Sequence, residues 1–196
     1  MLGVNVGTKG FMAGTEPEDL PLVVAAARGE YRRSERMLLD VTLTRAGGDT
    51  VYDRALNDAV VKSDVNCVDL LVSSDGERIT RFSGDGVIIS TPTGSTAYSM
   101  SAGGPIVEPE ARNIIVTPIC AHSMAARSFV LSPGRKVTVT PERRDNRRVL
   151  LSVDGSAPVD LENGDEVLTT KSANSLVMAD VGVRSFYDTA LGKLTQ

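Results

Sequence analysis

The densest concentration of small polar residues and glycines in this sequence runs Ser83-Gly84-Asp85-Gly86-Val87-Ile88-Ile89-Ser90-Thr91-Pro92-Thr93-Gly94-Ser95-Thr96-Ala97-Tyr98. An apolar stretch, a Pro-Thr-Gly-Ser-Thr turn and a helix start follow one another there. Backbone N–H groups at a helix N-terminus, flanked by hydroxyl side chains, suit the ribose, base edge or phosphates of a nucleotide. The same residues equally suit a plain capped turn between strand and helix, since Ser and Thr are ordinary N-caps. No Lys follows the glycine, so the segment is not a P-loop, and Gly7 to Gly10 lacks the spacing of a dinucleotide fingerprint. A second cluster, Ala55-Leu56-Asn57-Asp58-Ala59-Val60-Val61, sets an amide beside a carboxylate inside an apolar run. A carboxylate accepts both hydroxyls of a vicinal diol, and an amide donates and accepts at once. Asn57 and Asp58 therefore fit a ribose, or else a satisfied turn or bulge.

Other chemistry is scarce. Cys67 and Cys120 are the two cysteines and His122 the single histidine, too few for a disulfide framework or a four-ligand zinc site. Both cysteines read as small buried hydrophobes. No G-x-S-x-G elbow accompanies His122.

The elements that must position these clusters are mostly strands. Two-fold alternation marks Leu39 to Thr44, Val68 to Val72 and Lys136 to Thr140. Turn signals separate such runs at Gly47-Gly48-Asp49, Ser74-Asp75-Gly76, Asp154-Gly155 and Asn163-Gly164-Asp165. Many short antiparallel strands with regular turns predict a sandwich-like body. Leu2 to Val6 reads as a buried strand broken at Gly7-Thr8-Lys9-Gly10, a bare apolar strand that invites self-association. Glu16-Pro17-Glu18-Asp19 opens a helix carrying Leu20, Val23, Val24 and Ala27, which Gly29 stops. A short helix is expected between Gly94 and Gly104, its N-terminus pointing out of the sheet.

Composition agrees with a folded globular chain: 196 residues with 41% apolar and 23% charged. The formal charge of −4 argues against a nucleic-acid surface. No apolar stretch approaches the roughly 20 residues of a membrane span, and the N-terminus has no secretory pattern, so a cytoplasmic location with no membrane partner is expected.

The chain resembles the carboxy-terminal part of the NAD kinases, which phosphorylate the adenosine 2′-hydroxyl of NAD to give NADP. The carriers are Gly3-Val4-Asn5-Val6-Gly7-Thr8-Lys9-Gly10-Phe11, Ala55-Leu56-Asn57-Asp58, Gly84-Asp85-Gly86 with Ser90-Thr91-Pro92-Thr93-Gly94-Ser95-Thr96-Ala97-Tyr98, Pro118-Ile119-Cys120-Ala121-His122-Ser123, and Ser152-Val153-Asp154-Gly155. The resemblance implies that Asn57 and Asp58 hold the adenosine ribose and that Ser95, Thr96, Ala97 and Tyr98 surround the adenine. It implies that Asp85 holds the nicotinamide end, with Thr93 lining the same pocket. His122 and Arg127 fall in matching segments without an assigned role. ATP or polyphosphate as donor, Mg²⁺ or another divalent metal, and a homo-oligomeric assembly come with the family.

The implied fold is mainly β with minor α, a sandwich-like NAD kinase C-terminal domain over residues 37–196. Residues 1–36 are then a strand and helix bordering an absent or truncated α/β domain. Family members carry a Gly-Gly-Asp-Gly turn in that domain, whose Asp is the proposed general base. Gly47-Gly48-Asp49-Thr50 follows Asn5-Val6-Gly7 instead of preceding it and reads as a hairpin turn. The expected role is the NAD-binding half of an NAD kinase, inactive alone. A non-catalytic nucleotide-binding or oligomerisation module is the alternative, and a lipid or sugar kinase of the same superfamily a more distant one.

Overall fold

The computed structural model describes residues 1–6, 15–65, 67–123, 126–142, 147–182 and 185–194. The expected break at Gly7 to Gly10, and Phe11 after it, lie outside them.

Helix α1 (Leu20–Ala27) is followed by strands β1 (Arg32–Thr44), β2 (Thr50–Ala55), β3 (Asp58–Ser63), β4 (Val68–Ser74), β5 (Glu77–Gly84) and β6 (Gly86–Ser90). A 3-10 turn (Gly94–Thr96) and a single helical turn, α2 (Tyr98–Ser101), come next. Strands β7 (Ile114–Ile119), β8 (Phe129–Leu131), β9 (Val137–Glu142), β10 (Val149–Val153), β11 (Val159–Leu161) and β12 (Glu166–Asp180) precede helix α3 (Phe186–Leu194). The strands form two six-stranded sheets, ordered β2-β1-β12-β9-β4-β5 and β11-β10-β3-β6-β7-β8, with antiparallel pairing between neighbours.

Alternation makes the sandwich. Leu39, Val41 and Leu43 of β1, Leu70 and Val72 of β4, and Val137 and Val139 of β9 point inward from the first sheet. They meet Ala59, Val61, Val87, Ile89, Ile114, Val116, Val149 and Leu151 of the second in one core. Burying each large aliphatic side chain is worth about 1.5–3 kcal/mol, which makes this core the main stabilising term. The turns at Gly47-Gly48-Asp49, Asp75-Gly76, Asp154-Gly155 and Gly164 fall where the sequence sets them. In the first, the Arg45 N–H donates to the Asp49 carbonyl at 2.8 Å and the Gly48 N–H to the Arg45 carbonyl at 2.9 Å, closing the β1–β2 hairpin.

The central strands of the second sheet are buried on both faces, as the unbroken burial of Asp58–Val61, Gly86–Ser90 and Ile114–Thr117 shows. Their outer face carries Val60, Ile88 and Ile119, with Ala102 packed on them. The segment from the 3-10 turn through α2 lies on that face, and the Ser99 and Thr117 hydroxyls are hydrogen-bonded at 2.8 Å.

Two expectations near the N-terminus differ from the structure. Leu2 to Val6 is not a sheet strand: Val4 makes one isolated parallel bridge with Thr15, and Val6 is 88% exposed. Among the described residues no strand offers the remainder of that segment a ladder. The helix begins at Leu20 rather than beside Pro17, because the Asp19 carboxylate accepts the Glu16 N–H at 2.8 Å and closes a turn first. Among the described residues no helix is long and apolar enough to cross a membrane.

Candidate functional site

Strand β6 organises the chemistry. Asp85 precedes its first residue, while Ser90 at its far end is the cross-strand partner of Asp58. Five residues of strand separate the two ends by about 17 Å. Asp58 and Lys62 share a face of β3 with Val60, and that outer face, beside the segment from the 3-10 turn through α2, is the candidate groove. Tyr98 of α2 stands over the middle, 39% exposed, with the Lys62 Nζ 6.0 Å from its ring centroid.

At the Asp58 end two chain segments are clamped backbone to backbone. The Thr91 N–H donates to the Asn57 carbonyl at 2.9 Å, and the Thr91 hydroxyl donates to the Leu56 carbonyl at 2.6 Å. The Gly94 N–H in turn donates to that same hydroxyl oxygen at 3.0 Å. Gly94 packs so closely that a Cβ there would lie 2.1 Å from the Asn57 carbonyl oxygen. Only a residue without a side chain fits that contact.

The hydroxyls and N–H groups of the turn are largely spent within it. Ser95 donates to the Pro92 carbonyl at 2.7 Å and accepts the Val107 N–H at 3.0 Å, and Thr96 donates to the Thr93 carbonyl at 3.3 Å. The Ser95 and Ala97 N–H groups donate to the Pro92 and Gly94 carbonyls at 3.2 and 2.9 Å. The expected free helix N-terminus is therefore a self-satisfied 3-10 turn. Ser95 and Thr96 shape the wall by bracing it, and Ala97 and Tyr98 present its surface.

Some polar atoms of these segments remain unspent. The Asn57 Oδ1, Ser90 Oγ and Thr93 Oγ1 are buried atoms with no hydrogen-bond partner. The Asp58 carboxyl, 6% exposed, receives no hydrogen bond from the described residues. Burial pushes it up to about 6, with a smaller push from the nearby Asp154 charge. Orphaned buried polar groups are uncommon in native proteins and call for a partner. The Tyr98 hydroxyl is also raised, first by burial and then by Cys120, Asp85 and Asp58, so its field spans both ends of the groove.

At the Asp85 end the turn is fixed by the Asp85 N–H donating to the Ile119 carbonyl at 3.0 Å and the Ser63 N–H donating to the Asp85 carbonyl at 2.9 Å. Gly86 has no room for a Cβ, which would fall 2.5 Å from the Val61 carbonyl oxygen. The reading of both cysteines as buried hydrophobes is corrected here: Cys67 is half-buried and Cys120 exposed. Cys67 sits at the entrance to β4, and Cys120 leaves the end of β7 at φ +45°, so neither occupies a strand interior. The Cys67 Sγ lies 3.1 Å from the His122 Nε2 and 3.8 Å from the Asp85 Oδ1. A hydrogen bond to Asp85 pushes the Cys120 thiol up, helped by the Asp85 charge. The structure thus brings His122 to the Asp85 end. It places the Arg127 guanidinium against the neighbouring Ala126 carbonyl at 3.3 Å. Sequence reasoning passed over Lys62 and quoted Thr91 and Asp154 only within motifs, without a role; a lysine two residues along β3 from Val60, on the same outer face, was the available signal for the first.

A family model described as the ATP-NAD kinase C-terminal domain matches residues 49–181. The NAD kinase of Acetivibrio thermocellus is 36% identical over 197 residues, covering 99% of this chain and 68% of that protein. The NAD kinase of Trichlorobacter lovleyi is 38% identical over 182 residues, covering 90% of this chain and 64% of that one. Among solved structures, yeast NADH kinase complexed with NADH superposes with a TM-score of 0.89 at 28% identity, over 99% of this chain and 59% of the yeast chain. An NAD kinase from Archaeoglobus fulgidus in complex with ATP gives 0.77 at 27% identity, over 99% of this chain and 73% of the other. The chain spans about two thirds of the length of these curated relatives. The two-sheet sandwich is that of an NAD kinase C-terminal domain, and the chain belongs to the NAD kinase family.

Proposed function

We propose that this chain supplies the NAD-binding half of an NAD kinase, which transfers a phosphoryl group from ATP or polyphosphate to the adenosine 2′-hydroxyl of NAD. One observation carries the reading: the Asn57 amide oxygen and the Thr93 hydroxyl are buried without hydrogen-bond partners, and the buried Asp58 carboxyl adjoins Asn57 in the chain. A ribose diol supplies two donors that a carboxylate and an amide oxygen can accept. The ionised Asp58 accepts from the ribose hydroxyls and holds the reacting one in place, while Asn57 fixes its neighbour. Tyr98 and Ala97 cover the adenine, and Asp85 takes the nicotinamide end across the length of β6. Positioning of this kind is a large part of phosphoryl-transfer catalysis.

The divalent metal that accompanies ATP finds no set of three His, Cys, Asp or Glu ligands among the described residues. On this proposal the groove serves the acceptor, and the donor is left to other residues. On this reading residues 1–36 border an α/β domain that holds the donor, a role supported by α1, which buries none of its side chains. Homo-oligomeric assembly and a cytoplasmic location belong to the same proposal.

Calorimetric titration with NAD is expected to show binding to the 196-residue chain. Asn57→Ala and Asp58→Ala should each weaken it by about 1–3 kcal/mol, the usual loss for a polar group deprived of its partner. Unchanged affinity in both variants removes the ribose assignment. With NAD, ATP and Mg²⁺, the same chain is expected to form no NADP in an assay coupled to an NADP-specific dehydrogenase. A positioned general base is worth roughly 10² to 10⁴ in rate, and neither Asp49 nor Asp85 is placed to act as one. Asp49 sits in the β1–β2 hairpin and Asp85 at the far end of β6 from Asp58. Steady turnover that Asp58→Ala abolishes places the base within these residues and overturns the division of labour.

A further inference from the structure

Asp154 lies in the turn after β10, outside the groove and exposed, yet it makes four hydrogen bonds to the Leu56 to Asp58 segment. Its Oδ2 accepts the Leu56 N–H at 2.6 Å, and its Oδ1 accepts the Asn57 N–H at 2.8 Å and the Asp58 N–H at 2.9 Å. Its own N–H donates to the Asp58 carbonyl at 3.0 Å. The last of these merely continues the β3–β10 ladder, in which Val153 pairs with Ala59. The other three belong to the side chain and gather three consecutive backbone N–H groups around one carboxylate, the arrangement by which peptide nests bind anions. Asp154 holds this place at φ +47°, a left-handed conformation that Asp tolerates better than most residues.

We infer that Asp154 is a positioning residue of the NAD site, fixing the backbone of Leu56 to Asp58 from behind so that the Asn57 amide and the Asp58 carboxyl face the groove. The inference rests on the ribose reading of those two residues. The clamp is two-sided: Thr91 and Gly94 hold the Leu56 and Asn57 carbonyls, while Asp154 holds the three N–H groups and the Asp58 carbonyl. Neither a shift of the loop nor a peptide flip is then open to it, and both side chains keep one direction.

The device has an electrostatic consequence that a neutral cap would lack. The two nearby carboxylates repel, so the charge of Asp154 behind the segment adds to burial in holding the proton on Asp58. Among the described residues the other ionisable group coupled to Asp58 is the Tyr98 phenol of α2, while Lys62 on β3 is directed over the Tyr98 ring. Since the ribose hydroxyls donate to the ionised Asp58, NAD affinity is high above about pH 6 and falls as Asp58 takes up its proton below it. Replacing Asp154 by a neutral side chain lowers that midpoint.

Asp154→Asn keeps the size and branching of the side chain but removes its charge and one acceptor oxygen. Amide hydrogen exchange read by NMR tests the clamp without any ligand. Exchange at Leu56, Asn57 and Asp58 is expected to speed up by about 10-fold or more, with the β6 and β7 amides unchanged. NAD titration between pH 5 and 8 tests the consequence. The variant should bind about 10-fold more weakly at pH 8, with its midpoint displaced below that of the parent protein. A purely structural turn residue weakens binding but leaves the midpoint where it was, and that result overturns the inference, as does unchanged exchange at the three amides. If the parent protein shows no NAD binding at any pH, the ribose reading fails instead. Carboxyl ¹³C titration of Asp58 in the ligand-free proteins then still decides whether Asp154 acts on it.

Discussion

Gly94→Ala is expected to abolish NAD binding and to destabilise the fold by about 3 kcal/mol or more, the upper range for overpacking a filled site. The added Cβ would lie 2.1 Å from the Asn57 carbonyl oxygen, 2.5 Å from its carbonyl carbon and 2.7 Å from its Cα. These are backbone atoms, and a rotamer change relieves none of them. The Asn57 segment cannot retreat, because Asp154 holds its N–H groups from the other side. The 3-10 turn cannot retreat either, since Gly94, Ser95 and Thr96 are all buried. Gly134→Ala is the matched control: nothing lies within 4 Å of a Cβ at that position. Surface changes of that kind stay within about 0.5 kcal/mol. Urea denaturation of both variants reads the difference, and a wild-type midpoint for Gly94→Ala overturns the clamp.

Asp58→Asn is expected to do two opposite things: weaken NAD binding and stabilise the protein at neutral pH. The folded-state value of about 6 stands well above the ordinary 3.8, with burial the main cause and Asp154 the second. A carboxyl raised in this way makes stability fall as pH rises. Below the unfolded value both states are protonated and there is no penalty. Between the two values the unfolded chain ionises first, and above about 6 the full penalty is present. A shift of about two units corresponds to roughly 3 kcal/mol. The neutral amide escapes that penalty, so the variant should gain up to about 3 kcal/mol at pH 7.5 and nothing near pH 3.5. The same change replaces a charged acceptor with a neutral one, which loses about 1–2 kcal/mol of NAD affinity. Chemical denaturation at the two pH values checks the first half and calorimetry the second. An equal stability difference at both pH values shows that ionisation of Asp58 is not its cause. A residue that weakens the fold while serving the ligand is the usual mark of a functional position.

Much of the sandwich was legible because its information is local. Alternation in Leu39 to Thr44 and in Val68 to Val72 places those strands in the sheet that buries every second side chain, and the Gly48, Asp75-Gly76 and Gly164 turns show the positive φ angles their residue types permit. The Pro92 to Tyr98 turn was legible as an element, but its hydroxyls were not legible as braces. Whether Ser95 faces a ligand or Val107 depends on a packing partner twelve residues away. Asp154 was hidden for the same reason at longer range. An Asp-Gly pair announces a hairpin, and nothing local announces that its carboxylate will meet the N–H groups of residues almost one hundred positions earlier. The cysteines were misplaced because burial statistics for thiols describe strand interiors, whereas Cys67 and Cys120 stand just beyond strand ends. The Leu2 to Val6 segment was read from its composition, which cannot supply a neighbouring strand.

Strand β6 carries one further consequence, for how the chain tolerates insertions and deletions. Both ends of the groove are anchored on its five residues, Asp85 just before Gly86 and Ser90 opposite Asp58. Adding or removing one residue would alter their separation by about 3.4 Å. It would also turn over everything beyond the change, exchanging the core-facing Val87 and Ile89 with the groove-facing Ile88. The reach of the groove is thus counted in whole residues and has no intermediate setting. No such constraint binds a surface loop such as Ser132 to Arg135, whereas β6, on the proposed function, acts as a ruler for a ligand of dinucleotide length and leaves a mononucleotide able to touch only one end.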